Sequence, residues 1–159
     1  MKKIFVGLVA VATVLTASTA ELNWLTDAAK AQAQAKAENK IVLLDFTGSD
    51  WCGWCIKLNK EVFSTPEFAK YAKKNLVLVE VDFPHRKKLS DAQKRANEAL
   101  SNKYGIEGYP TLILLDGSGK KVGELSYSDG VDRTGNRDGS RITANPTTFI
   151  AAIEKKRKG

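Results

Sequence analysis

Three short, almost continuous apolar runs constrain this chain more than any other feature: Ile41-Val42-Leu43-Leu44-Asp45-Phe46, Leu76-Val77-Leu78-Val79-Glu80-Val81-Asp82 and Thr111-Leu112-Ile113-Leu114-Leu115. Apolar runs this short and without alternation suit strands buried on both faces of a sheet, and such a sheet needs helices to cover it. The intervening segments supply them. Ala28 to Ala37 is alanine-rich with interspersed Lys and Gln, and Trp24 and Leu25 can anchor its start, so a first helix is expected over about 22–38. Cys52 to Phe63 carries Ile56, Leu58 and Val62 between polar residues, a second helical pattern. Ser64-Thr65-Pro66-Glu67 has capping-box spacing and an early proline, which starts a third helix reaching about Lys74. Ser90 and the residues after it cap a fourth, running to Tyr104.

After the third apolar run the turn Asp116-Gly117-Ser118-Gly119 leads into a fourth strand, about Lys121 to Tyr127, as a hairpin. Asn145-Pro146 opens a closing helix with Phe149, Ile150 and Ile153. Parallel crossovers followed by an antiparallel hairpin imply an α/β sandwich around one central mixed sheet.

The first twenty residues have a different character. Met1-Lys2-Lys3 is basic, Ile4 to Leu15 is almost wholly apolar, and Ala17-Ser18-Thr19-Ala20 ends in small residues, the pattern of a cleaved export signal. The apolar run is shorter than the roughly 20 residues a membrane-spanning helix needs. Residues 1–20 are therefore expected to be a signal peptide and residues 21–159 a single domain in a periplasmic or otherwise exported compartment that permits disulfides. The full chain carries a formal charge of +7; without Lys2 and Lys3 it is +5, from 23 basic and 18 acidic side chains. The cations are dispersed, and the runs at His85-Arg86-Lys87-Lys88 and Lys155-Lys156-Arg157-Lys158 lack interleaved aromatic residues, which argues against nucleic-acid binding. A monomer is expected.

The chemistry centres on Trp51-Cys52-Gly53-Trp54-Cys55, between the first apolar run and a helix. At a helix N-terminus the unpaired N–H groups and the dipole favour negative charge, which pulls the Cys52 thiol below its ordinary pKa. Cys55 lies one turn further in, near enough to close a disulfide and more shielded. Together they supply an attacking and a resolving thiol for disulfide exchange. Haem attachment needs a histidine after the second cysteine, where Ile56 stands. Copper(I) prefers further soft ligands, but Met1 is the only methionine, and two cysteines with His85 cannot complete a structural zinc site. No metal or cofactor is expected beyond a redox-active Cys52–Cys55 disulfide. A purely structural disulfide in a binding module is the competing reading.

Beyond this motif the chain resembles the thioredoxin superfamily. Leu43-Leu44-Asp45-Phe46, Trp51-Cys52-Gly53-Trp54-Cys55, Ile106-Glu107-Gly108-Tyr109-Pro110-Thr111 and the Gly117/Gly119 hairpin occur in that family's order, over roughly 41–127. The resemblance implies that Pro110 is cis and faces the cysteine pair, and that the backbone at Tyr109 pairs with a substrate peptide. It also implies that Asp45 is a buried carboxylate beneath Cys55, able to take its proton; from its position alone Asp45 could equally be an exposed strand-end residue. Seven positions separate Asp45 from Cys52, one more than in typical thioredoxins, so the loop 47–50 must absorb an insertion. The lysine that commonly accompanies the carboxylate on the next strand is replaced by the apolar Leu78. Trp54 stands where thioredoxin has proline, and 83–104 lengthens the crossover, which together point to a periplasmic thioredoxin-like branch. Trp51 and Trp54 suit either an apolar platform for partner polypeptides or core packing.

These readings converge on an exported thiol-disulfide oxidoreductase. Cys52 is the nucleophile, Cys55 resolves, Asp45 relays protons, and Trp51, Gly53, Trp54, Tyr109 and Pro110 contact substrate. Its partners are exported proteins with cysteines or disulfides, and a membrane electron-transfer protein is a candidate. With no histidine or cation between the cysteines and an anionic Asp45 nearby, the reducing or isomerising direction is expected. Asp129, Asp132, Asn136 and Asp138 resemble a calcium loop only in composition and lack its spacing, so a solvated loop is preferred.

Overall fold

The computed structural model describes residues 22–132 and 142–158. The expected signal peptide lies outside them, as do Asn136 and Asp138. Among the described residues no helix is long and apolar enough to cross a membrane.

The sheet has five strands, β1 (Trp24–Leu25), β2 (Ile41–Thr47), β3 (Leu76–Asp82), β4 (Thr111–Leu115) and β5 (Lys121–Ser126), in the spatial order β1-β3-β2-β4-β5. β3 is parallel to both β1 and β2; β4 runs antiparallel to β2 and β5. The helices are α1 (Ala28–Glu38), α2 (Gly53–Leu58), α3 (Pro66–Asn75), α4 (Asp91–Tyr104) and α5 (Pro146–Lys158). This is the expected mixed sheet flanked by helices.

All seven residues of β2 are buried, and their alternation divides the core in two. Ile41 and Leu43 face a layer with Leu58, Phe68, Phe149 and Ile153, contributed by α2, α3 and α5. Val42, Leu44 and Phe46 face the opposite layer, where α1 buries Ala31 and Ala35, with Ala28 packed beside them. Each fully buried Leu, Val or Phe contributes roughly 1.5–3 kcal/mol, so the central strand anchors both layers. Asp45 and Thr47 follow Leu43 at period two, which puts a carboxylate on the α2 face.

Several boundaries differ from the sequence expectation. Residues 22–27 are not helical: Trp24 and Leu25 add a short edge strand, with the Trp24 ring 5.2 Å from Phe63. Asp27 then caps α1 by accepting from the N–H groups of Ala29 and Lys30. α2 ends at Leu58 and passes into one π-helical turn, Asn59–Phe63. The cap of α3 is Thr65, whose Oγ1 accepts from the Phe68 N–H, and Glu67 instead accepts from Thr147 Oγ1 of α5 at 2.7 Å. β5 stops at Ser126 because Asp129 accepts from its N–H and Oγ, starting a 3-10 turn, Tyr127–Gly130. That use of Asp129 is a capping role. In the β4–β5 turn Asp116 Oδ1 accepts from Ser118 N–H, Ser118 Oγ and Lys120 N–H, while Gly119 supplies the left-handed φ of 86°.

Candidate active site

The turn between β2 and α2 places the cysteines. The N–H groups of Trp51 and Cys52 both donate to Gly48 O, folding 48–51 into a tight turn. Gly48 lets the Trp51 indole close over the turn: a Cβ there would fall 2.5 Å from the ring. Cys52 is the N-cap of α2, its Sγ accepts from the Cys55 N–H at 3.2 Å, and the two residues form a disulfide. Both cysteines are buried in this oxidised state, at 7% and 5% exposure.

The inserted loop and the lengthened crossover, read separately from sequence, hold each other. Asp82, at the end of β3, accepts from the Ser49 N–H at 2.9 Å and from Ser49 Oγ at 2.6 Å. Asp50 accepts from three successive backbone N–H groups, those of His85, Arg86 and Lys87, at 2.9, 2.7 and 3.0 Å. These donors, that of His85 foremost, pull the Asp50 carboxyl down to about 2. Trp51 Nε1 donates to Phe83 O at 2.7 Å. The loop beside Cys52 is thus positioned by residues more than thirty positions away.

Around the cysteines lie exposed aromatic rings. Trp51 and Trp54 are 42% and 50% exposed, so neither is packed into the core. Trp54 leans on Tyr127 with centroids 4.9 Å apart, and Lys57 Nζ stands over both rings. On the other side Trp51 meets Tyr109 edge-on at 5.9 Å, and Tyr109 packs on Phe83 at 5.4 Å. The Tyr109–Pro110 peptide bond is cis, and Pro110 is buried. Gly53 is exposed with open space where a Cβ would lie.

Behind the disulfide is a cavity of about 660 Å³, whose lining includes Cys55, Asp45, Thr47, Ser49, Asn59 and Glu80. Asp45 is 8% exposed, and its Oδ1 has no hydrogen-bond partner among the described residues. Burial, then the nearby Glu80 and Asp82, push its carboxyl up to about 8. The strand register corrects one expectation: Leu78 stands opposite Leu43, and the residue opposite Asp45 is Glu80. Burial and Asp82 also raise the Glu80 carboxyl, against the pull of Lys87. Glu80, Asp82 and Asp50 were not singled out as site residues from sequence. Aligning the two apolar runs end to end, Ile41 with Leu76, would have placed Glu80 beside Asp45; the anchors of Asp50 carry no local signal.

A disulfide at a helix N-terminus and a cis-proline loop agree with the family comparison: the thioredoxin-like domain family matches residues 28–128. The chain belongs to the thioredoxin-like family. Among its members, the disulfide bond reductase DsbH of Chlamydia pneumoniae is 35% identical over 113 residues, covering 71% of this chain and 68% of that protein. The thioredoxin-related protein DsbJ of the same organism is 32% identical over 120 residues, but the match spans only 32% of DsbJ. A solved structure of the DsbH oxidoreductase superposes with a TM-score of 0.74 at 27% identity, covering 94% of this chain and 95% of that one. The C-terminal domain of Neisseria meningitidis DsbD, at 20% identity, covers 85% of this chain and all of its own with a TM-score of 0.54, a likeness of fold. Within the thioredoxin-like family the enzyme class of this chain is thiol-disulfide oxidoreductase.

Proposed function

We propose that the protein is an exported disulfide reductase or isomerase acting on protein substrates, with Cys52 as nucleophile, Cys55 as resolving thiol and Asp45 as proton acceptor. The observation that carries this is the placement of Cys52 Sγ at the N-terminus of α2 while Cys55 and Asp45 line one cavity behind it. In the dithiol form the Cys52 thiolate attacks a substrate disulfide, forming a mixed disulfide and expelling one substrate thiolate. Asp45 takes the proton from Cys55. The Cys55 thiolate then attacks Cys52 Sγ, closing the protein disulfide and releasing the second substrate thiolate, so two electrons pass to the substrate. A carboxyl near 8 suits this step, since it lies close to the ordinary pKa of a thiol and the proton can pass between the two groups at little cost.

Three carboxylates on this side support the reducing direction. Glu80 and Asp82 oppose a further anion, as Asp45 does once it ionises near pH 8, which disfavours the thiolate form and lowers the potential. DsbH is named a reductase, consistent with that direction. Trp51, Trp54 and Tyr109 form the apolar rim for an unfolded substrate segment, with the Tyr109 backbone before cis-Pro110 pairing with it. Regenerating the dithiol needs a reductant, which we assign to a membrane electron-transfer protein carrying its own dithiol. Residues 1–20 supply the export signal that puts the enzyme and its clients in one compartment.

Reduction of a protein disulfide such as those of insulin, followed with wild type and Cys52→Ser, tests the assignment. Activity in wild type and its loss in the variant are expected. A reduced wild-type protein inert toward protein disulfides would instead make it a binding module.

A further inference from the structure

Glu80 takes part in none of the proton transfers above, yet it stands beside the proton acceptor. It is the register partner of Asp45 on the parallel neighbour β3, so both side chains leave the sheet on one face from strands about 4.8 Å apart. Both line the cavity that reaches Cys55. Their exposures differ in a useful way. Asp45 is buried with an unpartnered Oδ1, while the Glu80 side chain is 34% exposed and ends 3.9 Å from the surface cation Lys87. Asp45 Oδ1 has no partner among the described residues to which it could hand a proton, whereas a proton on Glu80 has direct access to water.

We propose that Glu80 is the proton relay between Asp45 and solvent during the resolving step, a reading that rests on the assignment of Asp45 above. Asp45 accepts the Cys55 proton, passes it through water in the shared cavity to the Glu80 carboxylate and is ionised again, and Glu80 releases the proton to solvent. No electrons move in this transfer; the sulfur exchange is as already written. The ionisable groups facing Glu80 are Asp45 from β2, Asp82 from β3, Lys87 from the following loop and Cys55 across the cavity. The other walls, from the segment around β1, the π-helical turn and the start of α3, contribute no ionisable group. Lys87, 3.7 Å from Asp82 as well, keeps Glu80 able to ionise despite its two acidic neighbours.

The test follows the decay of the mixed disulfide after reduced protein is mixed with a linear peptide disulfide, by acid quench and mass spectrometry. Glu80→Gln is expected to slow decay about tenfold or more. Imidazole, added at fixed pH and ionic strength, is expected to restore the rate in proportion to its concentration, with no such response in wild type. Glu80→Asp, which keeps the carboxyl, is expected within about threefold of wild type and guards against misfolding of the Gln variant. Decay of Glu80→Gln at the wild-type rate, or a slowed decay that imidazole does not change, overturns the relay. Asp45→Asn separates the layers of the argument: slow Asp45→Asn with normal Glu80→Gln removes only the relay, and normal decay in both removes the role of Asp45 as well.

Discussion

The indole of Trp51 lies flat against the imidazole of His85, their centroids 4.5 Å apart and their planes within 4° of parallel. The indole also covers Gly48, and its Nε1 is bonded to Phe83 O, so this ring is held by three contacts although part of it faces solvent. A single ring therefore joins the end of β2, the cysteine motif and the crossover loop.

Gly48→Ala should displace that ring. The added methyl meets three atoms of the indole at 2.5–2.8 Å, and the ring cannot swing away without losing its stack and hydrogen bond. A loss of about 1–3 kcal/mol in urea unfolding is expected, with altered tryptophan emission. Unchanged stability and emission would mean that Trp51 is not held as described.

Asp50 should titrate far below an ordinary carboxyl. Its folded pKa, about 2, is depressed, so its contribution to stability is present above the unfolded value and is lost as pH falls toward 2. The amide resonances of His85, Arg86 and Lys87 are expected to shift together with a midpoint near 2 in an NMR titration, and Asp50→Ala should abolish the shared transition. A midpoint near 4 would show that the three N–H bonds do not persist in solution.

Asp45 has the opposite sign. Its folded pKa, near 8, lies above the unfolded value, so the folded state binds more protons across the interval and stability falls as pH rises from about 4 to 8. Asp45→Asn removes that penalty. The variant is expected to match wild type near pH 4 and to exceed it at pH 8 by on the order of a few kcal/mol, while resolving mixed disulfides more slowly. Parallel stability curves for the two proteins would place the Asp45 titration elsewhere.

Legibility from sequence tracked the distance over which each feature is determined. β2, β3 and β4 were readable because a strand buried on both faces needs apolar residues in succession, and α4 because Ser90 caps it locally. β1 was not readable: two residues become a strand only because β3 lies alongside. Glu80 was visible as a residue but not as the neighbour of Asp45, since register is a relation between strands. The anchors of Asp50 and Ser49 join positions 33 to 37 residues apart, and a one-residue insertion in sequence says nothing about what holds it.

The two cysteines should differ in reactivity once reduced. Cys52 ends at the helix N-terminus, and Cys55 lines the inner cavity with Asp45. Brief iodoacetamide treatment is expected to label Cys52 first, and Cys55→Ser should accumulate mixed disulfides with client proteins on non-reducing gels, because exchange starts but cannot resolve. Preferential labelling of Cys55 would reverse the assigned roles.

The most direct test of the account is the reduction potential of the Cys52–Cys55 pair, obtained by equilibrating the protein with glutathione redox buffers and quantifying the free thiols. Known thioredoxin-type couples run from about −270 mV at the reducing end to about −120 mV for the strongest oxidant. The carboxylates of Asp45 and Glu80 behind Cys55 predict a value toward the reducing end. A value near −120 mV would contradict the proposed direction, and a disulfide that does not exchange with glutathione at all would contradict the proposed chemistry.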